Sequence, residues 1–199
     1  MKAALALAGG ASLEDVSMRA LARKLRVPVM TLYNYVPSKD ALYEVVSDHL
    51  LRPVRVPPPE EGTWDERIRR LERAARRAMG RHPGLFSLSH RGSGGAEAAR
   101  LAQGVLSILA SGGFAPDDAA LAFATLYTFM LGQLDVDAIA AALGGRTEKT
   151  FEAATKSTRL SPDALFERGF DAVIEGLKAK LIRRRPRRPR PFRRGAGSP

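Results

Sequence analysis

Residues 17–47, SMRALARKLRVPVMTLYNYVPSKDALYEVVS, limit the possible folds more than any other part of this 199-residue chain. Met18, Leu21, Ala22 and Leu25 recur at helical spacing. Ser17 stands at the N-cap position in front of them. Arg26-Val27-Pro28 breaks the run, and residues 29–35 have length for only a short second helix. A third helix begins behind Pro37-Ser38-Lys39-Asp40. Two helices joined by so tight a turn form the unit that lays its second helix in the DNA major groove. The segment therefore predicts DNA binding, with the rest of the chain controlling when it occurs.

A chain of this length holds one small domain and one larger one, each with its own core. Hydrophobic residues make up 45% of it, as in a soluble globular protein. It has no cysteine, which excludes disulfides, thiolate metal sites and cysteine nucleophiles. No long uninterrupted apolar run is present, so no transmembrane helix and no membrane partner are expected. The opening MKAALALAGGAS faintly imitates a signal peptide, but its apolar stretch is short and the helix-turn-helix follows at once. It is read as the first helix, about residues 2–8, of a cytoplasmic protein.

The net charge of +11 is concentrated at one end. Residues 178–194 hold two Lys, eight Arg and no acid, which leaves 22 basic against 21 acidic side chains elsewhere. Residues 1–52 carry seven basic and five acidic groups, a small excess that suffices only if the basic ones face DNA.

Further along, Arg52-Pro53 and Pro57-Pro58-Pro59 interrupt the helical pattern and read as a domain boundary with a stiff linker. Thr63 then caps a helix whose stripe is Trp64, Ile68, Leu71, Ala75 and Met79, with Arg and Glu on its other face. Helices are predicted over about 96–111, from Pro116 to about Leu143, and over about 162–182 behind Ser161. Residues 85–90 form a short segment of their own, and 146–160 are ambiguous, with one short helix the best reading. Nothing reads as a strand. The expected fold is all-α, an N-terminal helix-turn-helix domain (1–52), a helical bundle (60–182) and a basic disordered tail (183–199).

Met18-Arg19-x-Leu21-Ala22, Leu25-x-Val27, Thr31-Leu32-Tyr33-x-x-Val36 and Ser38-Lys39-x-x-Leu42 together resemble the TetR family of transcriptional regulators. The resemblance continues through His82-Pro83-Gly84-Leu85, residues 113–119, and Ser161-Pro162-Asp163-x-x-Phe166-x-x-Gly169, which look like a tetracycline-repressor-like C-terminal domain. It implies DNA contacts from Met18, Arg19, Val29, Met30, Thr31, Tyr33, Asn34, Tyr35 and Lys39. Their chemistry divides the work. Arg19 suits a bidentate contact to guanine and Asn34 an adenine edge, while Met30 and the Thr31 methyl suit a thymine methyl. Tyr33, Tyr35 and Lys39 suit phosphates. Plainer roles stand beside these: packing for Tyr33, a surface ion pair for Arg19, solvation for Asn34. Leu32 and Val36 belong to the core.

Two positions depart from the family pattern. Arg26 replaces the usual Gly at a helix C-cap, where it either strains the turn or adds a phosphate contact. Tyr35 stands where His is common, so the half-site sequence does not follow. The basic arm usual before the first helix is also missing; the chain either lacks it or its true start lies upstream.

One recognition helix covers half a site, so specific binding implies a homodimer on a palindromic double-stranded operator. The resemblance builds that dimer from the helices over 116–143 and 162–182. It also implies an effector pocket inside the bundle, with Met79, His82, Phe86, His90, Phe123, Tyr127, Met130 and Gln133 as candidate lining. The effector's identity does not follow, although the apolar lining points to a hydrophobic or aromatic small molecule. Plain core packing explains the same aromatic and Met stripe.

The tail RRRPRRPRPFRR is expected to hold DNA phosphates nonspecifically, or to be solvated with incidental charge. No cofactor and no metal is implied. His49, His82 and His90 match no metal spacing, and neither a phosphate loop nor a nucleophile elbow is present, so an enzyme is not expected. The reading is a ligand-responsive regulator, a repressor rather than an activator. The alternative is a helical module that binds nucleic acid or anionic surfaces through its tail.

Overall fold

A computed structural model describes residues 3–4, 16–80, 82, 95–142 and 161–184. The described helices are α1 (Met18–Leu25), α2 (Val29–Tyr35), α3 (Lys39–Leu51), α4 (Trp64–Met79), α5 (Ala96–Ser111), α6 (Pro116–Ala142) and α7 (Pro162–Arg184). No strand occurs among the described residues. The segments predicted over 85–90 and 146–160 lie outside them, as does most of the helix predicted over 2–8, of which Ala3 and Ala4 are helical.

Local chemistry sets the helix starts. The Ser17, Ser38 and Ser161 hydroxyls accept from the backbone N–H groups of Ala20, Ala41 and Ala164 at 3.0, 3.0 and 3.2 Å. Each such cap contributes about 1 kcal/mol. At α4 the Glu66 carboxylate reaches back to the Thr63 N–H at 2.9 Å. The α1–α2 turn closes through Val27 N–H on the Ala22 carbonyl at 3.1 Å, with Arg26 in the left-handed region at φ 57°, ψ 41°.

The three N-terminal helices pack around Leu21, Ala22, Leu32, Leu42 and Val46. The bundle packs around Ile68, Leu71, Ile108, Leu126, Phe170 and Ile174. Both belong to one continuous cluster, because α3 packs on its far side against α4 and α5. The proline segment does not behave as a free linker. Val54 and Pro57 are buried. Arg67, itself buried, donates through Nε to the Pro57 carbonyl and through Nη1 to Ser111 Oγ, both at 3.0 Å. Arg67 thus clamps the connection to α4 and α5. A β-carbon at Gly112 would meet Trp64 Cγ at 2.6 Å, so only glycine leaves room for the indole, which stands edge-on to Phe114.

The charged face of α4 meets α7 in antiparallel register. Arg69 pairs with Asp171, Arg73 with Glu167 at 2.5 Å, and Arg76 with Asp163 at 2.6 Å. Arg76 also reaches Asp137 of α6 at 2.9 Å and lies 4.6 Å from the Phe166 ring centroid. Most of these pairs are partly solvated and contribute little each. Their regular spacing holds the register between the two helices. Residues Pro116–Asp137 of α6 are long and apolar enough to cross a membrane by length and composition, yet α6 packs against α4, α5 and α7 within the bundle.

Candidate nucleic-acid interface and effector cavity

A seven-residue helix with one buried side chain must show the rest of itself to its surroundings. In α2 that buried residue is Leu32. Met30 is 73% exposed and Tyr35 82%, and Tyr33 and Asn34 are exposed beside them. Thr31 is half-buried, as is Lys39 at the start of α3, and Arg19 of α1 is exposed. These residues present aromatic, amide, thioether and cationic groups outward on one short unit. Two predicted contacts do not belong to this outward set. Met18 is 8% exposed and packs in the core, because its place in the α1 stripe beside Leu21 and Ala22 turns it inward. Val29 is half-buried and packs against the same core.

The unit is tied to the bundle by more than apolar contact. Asp48 of α3 accepts from the backbone N–H groups of Ala96 and Glu97, each at 3.0 Å, and so caps α5 from another helix. A β-carbon at Gly95 would sit 2.0 Å from Asp48 Oδ1, so glycine permits this approach. Arg100 of α5 donates to the Val54 carbonyl at 2.8 Å.

Between α3, α4, α5 and α6 lies a cavity of about 90 Å³, several times the ~10–15 Å³ that one water needs. Of the predicted lining residues, Met79, Phe123, Tyr127 and Met130 border it. The Phe123 and Tyr127 rings stack at 5.7 Å, and burial pushes the Tyr127 phenol pKa up. Gln133 does not border the cavity; it is buried and donates to Asp137 Oδ1 at 2.9 Å, one turn along α6. His82 is also absent from the wall; it lies past the end of α4, its N–H on the Met79 carbonyl at 2.9 Å. Phe86 and His90 lie outside the described residues.

Sequence reasoning missed the other nine described wall residues, and two of them bear on function. Leu51 brings the last turn of α3 to the cavity. Glu72 of α4 borders it with 9% of its surface exposed, and its carboxyl has no hydrogen bond or ion pair among the described residues. Burial alone raises its pKa from 4.5 to about 7. The signal was available: Glu72 stands four residues after Ile68 and three before Ala75, on the apolar stripe.

Two family models match the chain. The tetracyclin repressor-like C-terminal domain covers residues 56–159, and the N-terminal domain of bacterial regulatory proteins of the tetR family covers residues 1–46. The chain belongs to the TetR family. It is 32% identical over 90 residues to the HTH-type transcriptional repressor DrrR1 of Streptomyces coeruleorubidus, which covers 45% of this chain and 33% of that protein. The chain spans 33% and 59% of the lengths of the curated relatives it matches. A possible TetR family transcriptional regulator from Streptomyces coelicolor A3(2) superposes with a TM-score of 0.79 at 28% identity, over 90% of this chain and 97% of that one. The TetR family protein ActR of Streptomyces coelicolor, in complex with actinorhodin, superposes with a TM-score of 0.76 at 26% identity, over 89% and 94%.

Proposed function

We propose that this TetR-family chain is a ligand-responsive DNA-binding regulator, a repressor that leaves its operator when a small molecule fills the cavity. The carrying observation is the outward face of α2, with Met30, Tyr33, Asn34 and Tyr35 held on a unit too small to bury them. Arg19 and Asn34 read base edges, Met30 and Thr31 meet thymine methyls, and Tyr33, Tyr35 and Lys39 hold phosphates.

Coupling runs through α3. Its Tyr43 and Val46 are core to the N-terminal unit, Asp48 caps α5, and Leu51 walls the cavity. A ligand that repositions Leu51 therefore acts on the helix that aims α2, and ligand and operator oppose one another by linkage. ActR bound to actinorhodin and the repressor DrrR1 support this reading by similarity.

The functional unit is a homodimer, which places two copies of α2 on half-sites about one DNA turn apart. Only 33% of the apolar Pro116–Asp137 stretch of α6 is buried within one chain, and Leu121 and Val136 stand exposed on it. A partner's α6 and α7 cover that face. The protein works in the cytoplasm, without catalysis, and its Arg-rich tail adds sequence-blind affinity for phosphates.

The test is a footprint on the intergenic DNA upstream of its own gene, comparing wild type with a Tyr33→Ala/Lys39→Ala double variant. A palindromic footprint lost in the variant is expected, and deleting residues 183–199 should flatten its salt dependence. Binding that is sequence-blind and indifferent to the double substitution would overturn the operator assignment and leave the tail as the only nucleic-acid contact.

A further inference from the structure

The cavity wall carries one charged side chain among the described residues, and it is an acid. Glu72 is 9% exposed, opens into the cavity and has no partner among the described residues. Its neighbours across the space are Phe123, Tyr127, Met130 and Leu134 of α6 and Leu51 of α3. A cation one turn away on the same helix, Arg76, is committed elsewhere, to Asp137 and Asp163. A buried acid with no counter-charge is costly to keep, because an apolar site cannot solvate the ionised form. Every other described wall position is apolar or aromatic, so Glu72 is the one charged group there placed to orient whatever enters.

The geometry points to an effector of a definite class: an aromatic, amine-bearing organic cation, its ammonium on the Glu72 carboxylate and its ring system against Phe123 and Tyr127. The inference rests on the reading of this cavity as the effector site. Charge decides between ligand classes. An ammonium supplies the counter-charge and N–H donors that no described residue gives Glu72, and the carboxylate's low exposure strengthens such a pair. A carboxylate ligand finds no cation among the described wall residues and meets Glu72 as a like charge. A neutral ring compound gains the apolar contacts but leaves Glu72 unpaired.

The test uses three probes of one shape and different charge: 1-naphthylmethylamine, 1-naphthylmethanol and 1-naphthoate. Calorimetric titration into the full chain gives their affinities for wild type, Glu72→Gln and Glu72→Leu. The amine should bind wild type most tightly. It should lose about tenfold to a hundredfold in both variants, the order of one hydrogen bond to a charged group. The alcohol, whose hydroxyl can donate to Glu72 but brings no counter-charge, should lose much less than the amine in either variant. Without ligand, both variants should unfold at the wild-type midpoint or above it, which shows that the loss is not misfolding. Amine binding that is absent in wild type, equal in the variants or weaker than that of naphthoate would overturn the assignment.

Operator release is scored separately. Glu72-dependent amine binding that leaves the operator complex intact would keep the cation site and remove the effector reading. Release by the alcohol, indifferent to Glu72, would keep the effector reading and remove the cation site.

Discussion

The outer face of α2 and the inner wall at Glu72 break the same rule in opposite directions. Apolar groups belong inside and charges outside, and the informative residues are those that do neither. Met30 and Tyr35 are large apolar or aromatic side chains left in the open. Glu72 is an acid closed inside with no partner among the described residues. The outward misfit is nearly free in the unbound protein, because an exposed ring costs little. The inward misfit costs stability continuously, because desolvation acts whether or not a ligand is present. The DNA face can therefore wait unoccupied without penalty, whereas the cavity is less stable empty than filled.

The strongest way to break that contrast is to titrate it. Glu72 is raised from 4.5 to about 7 in the folded chain. Below the lower value the acid is neutral in both states. Between the two values the unfolded chain ionises while the folded one keeps its proton, so stability falls as pH rises. Above the higher value the loss is complete, at about 3 kcal/mol by linkage. Urea unfolding of wild type against Glu72→Gln should show the difference growing over that window. Parallel curves would mean that Glu72 sits in water and that the contrast is false.

The second test concerns the joint between the two regions. Asp48→Ala removes both acceptors of the α5 N-terminus and should cost about 1–2 kcal/mol in urea unfolding. It should also weaken the coupling between ligand and operator measured by competition. An unchanged midpoint would place the connection entirely in apolar packing.

A smaller effect, of opposite sign, is expected at the turn that aims α2. Arg26 holds a left-handed conformation that glycine adopts freely, so Arg26→Gly should stabilise the chain by about 1 kcal/mol. If Arg26 also contacts a phosphate, operator affinity falls in the same variant and its salt slope becomes shallower by about one. The smallest effect sharpens the outward side. Met30→Ser and Tyr35→Ser should each leave stability within about 0.5 kcal/mol, while operator affinity drops. A large stability loss from either would show that the face is packed in the unbound protein.

Helices and caps were legible because their causes are local. Residues 29–35, 39–51 and 96–111 are helical as the apolar periodicity and turn residues indicated. Ser17 and Ser161 cap α1 and α7 because a hydroxyl three residues before a free N–H needs no tertiary help. Side-chain destinations were less legible. Met18 looked outward by analogy, yet its own stripe turns it into the core. Gln133 looked like a ligand group on an apolar helix, and it is satisfied by Asp137 one turn away. The proline run read as a stiff linker at a domain boundary, but Arg67, on a face that read as charged surface, closes it against α4 and α5.

The amino-acid sequence by itself determined the helix-turn-helix, its order along the chain, and the basic end. Short-range spacing, capping and proline geometry act within a few residues and leave few alternatives. Only the tertiary structure decided which charges are paired and which is stranded. Arg69, Arg73 and Arg76 find acids more than eighty positions away on α7, while Glu72, on the same helix, meets apolar and aromatic side chains from α3, α5 and α6. The energy of a charge depends on its surroundings, and those are assembled from segments far apart in the chain.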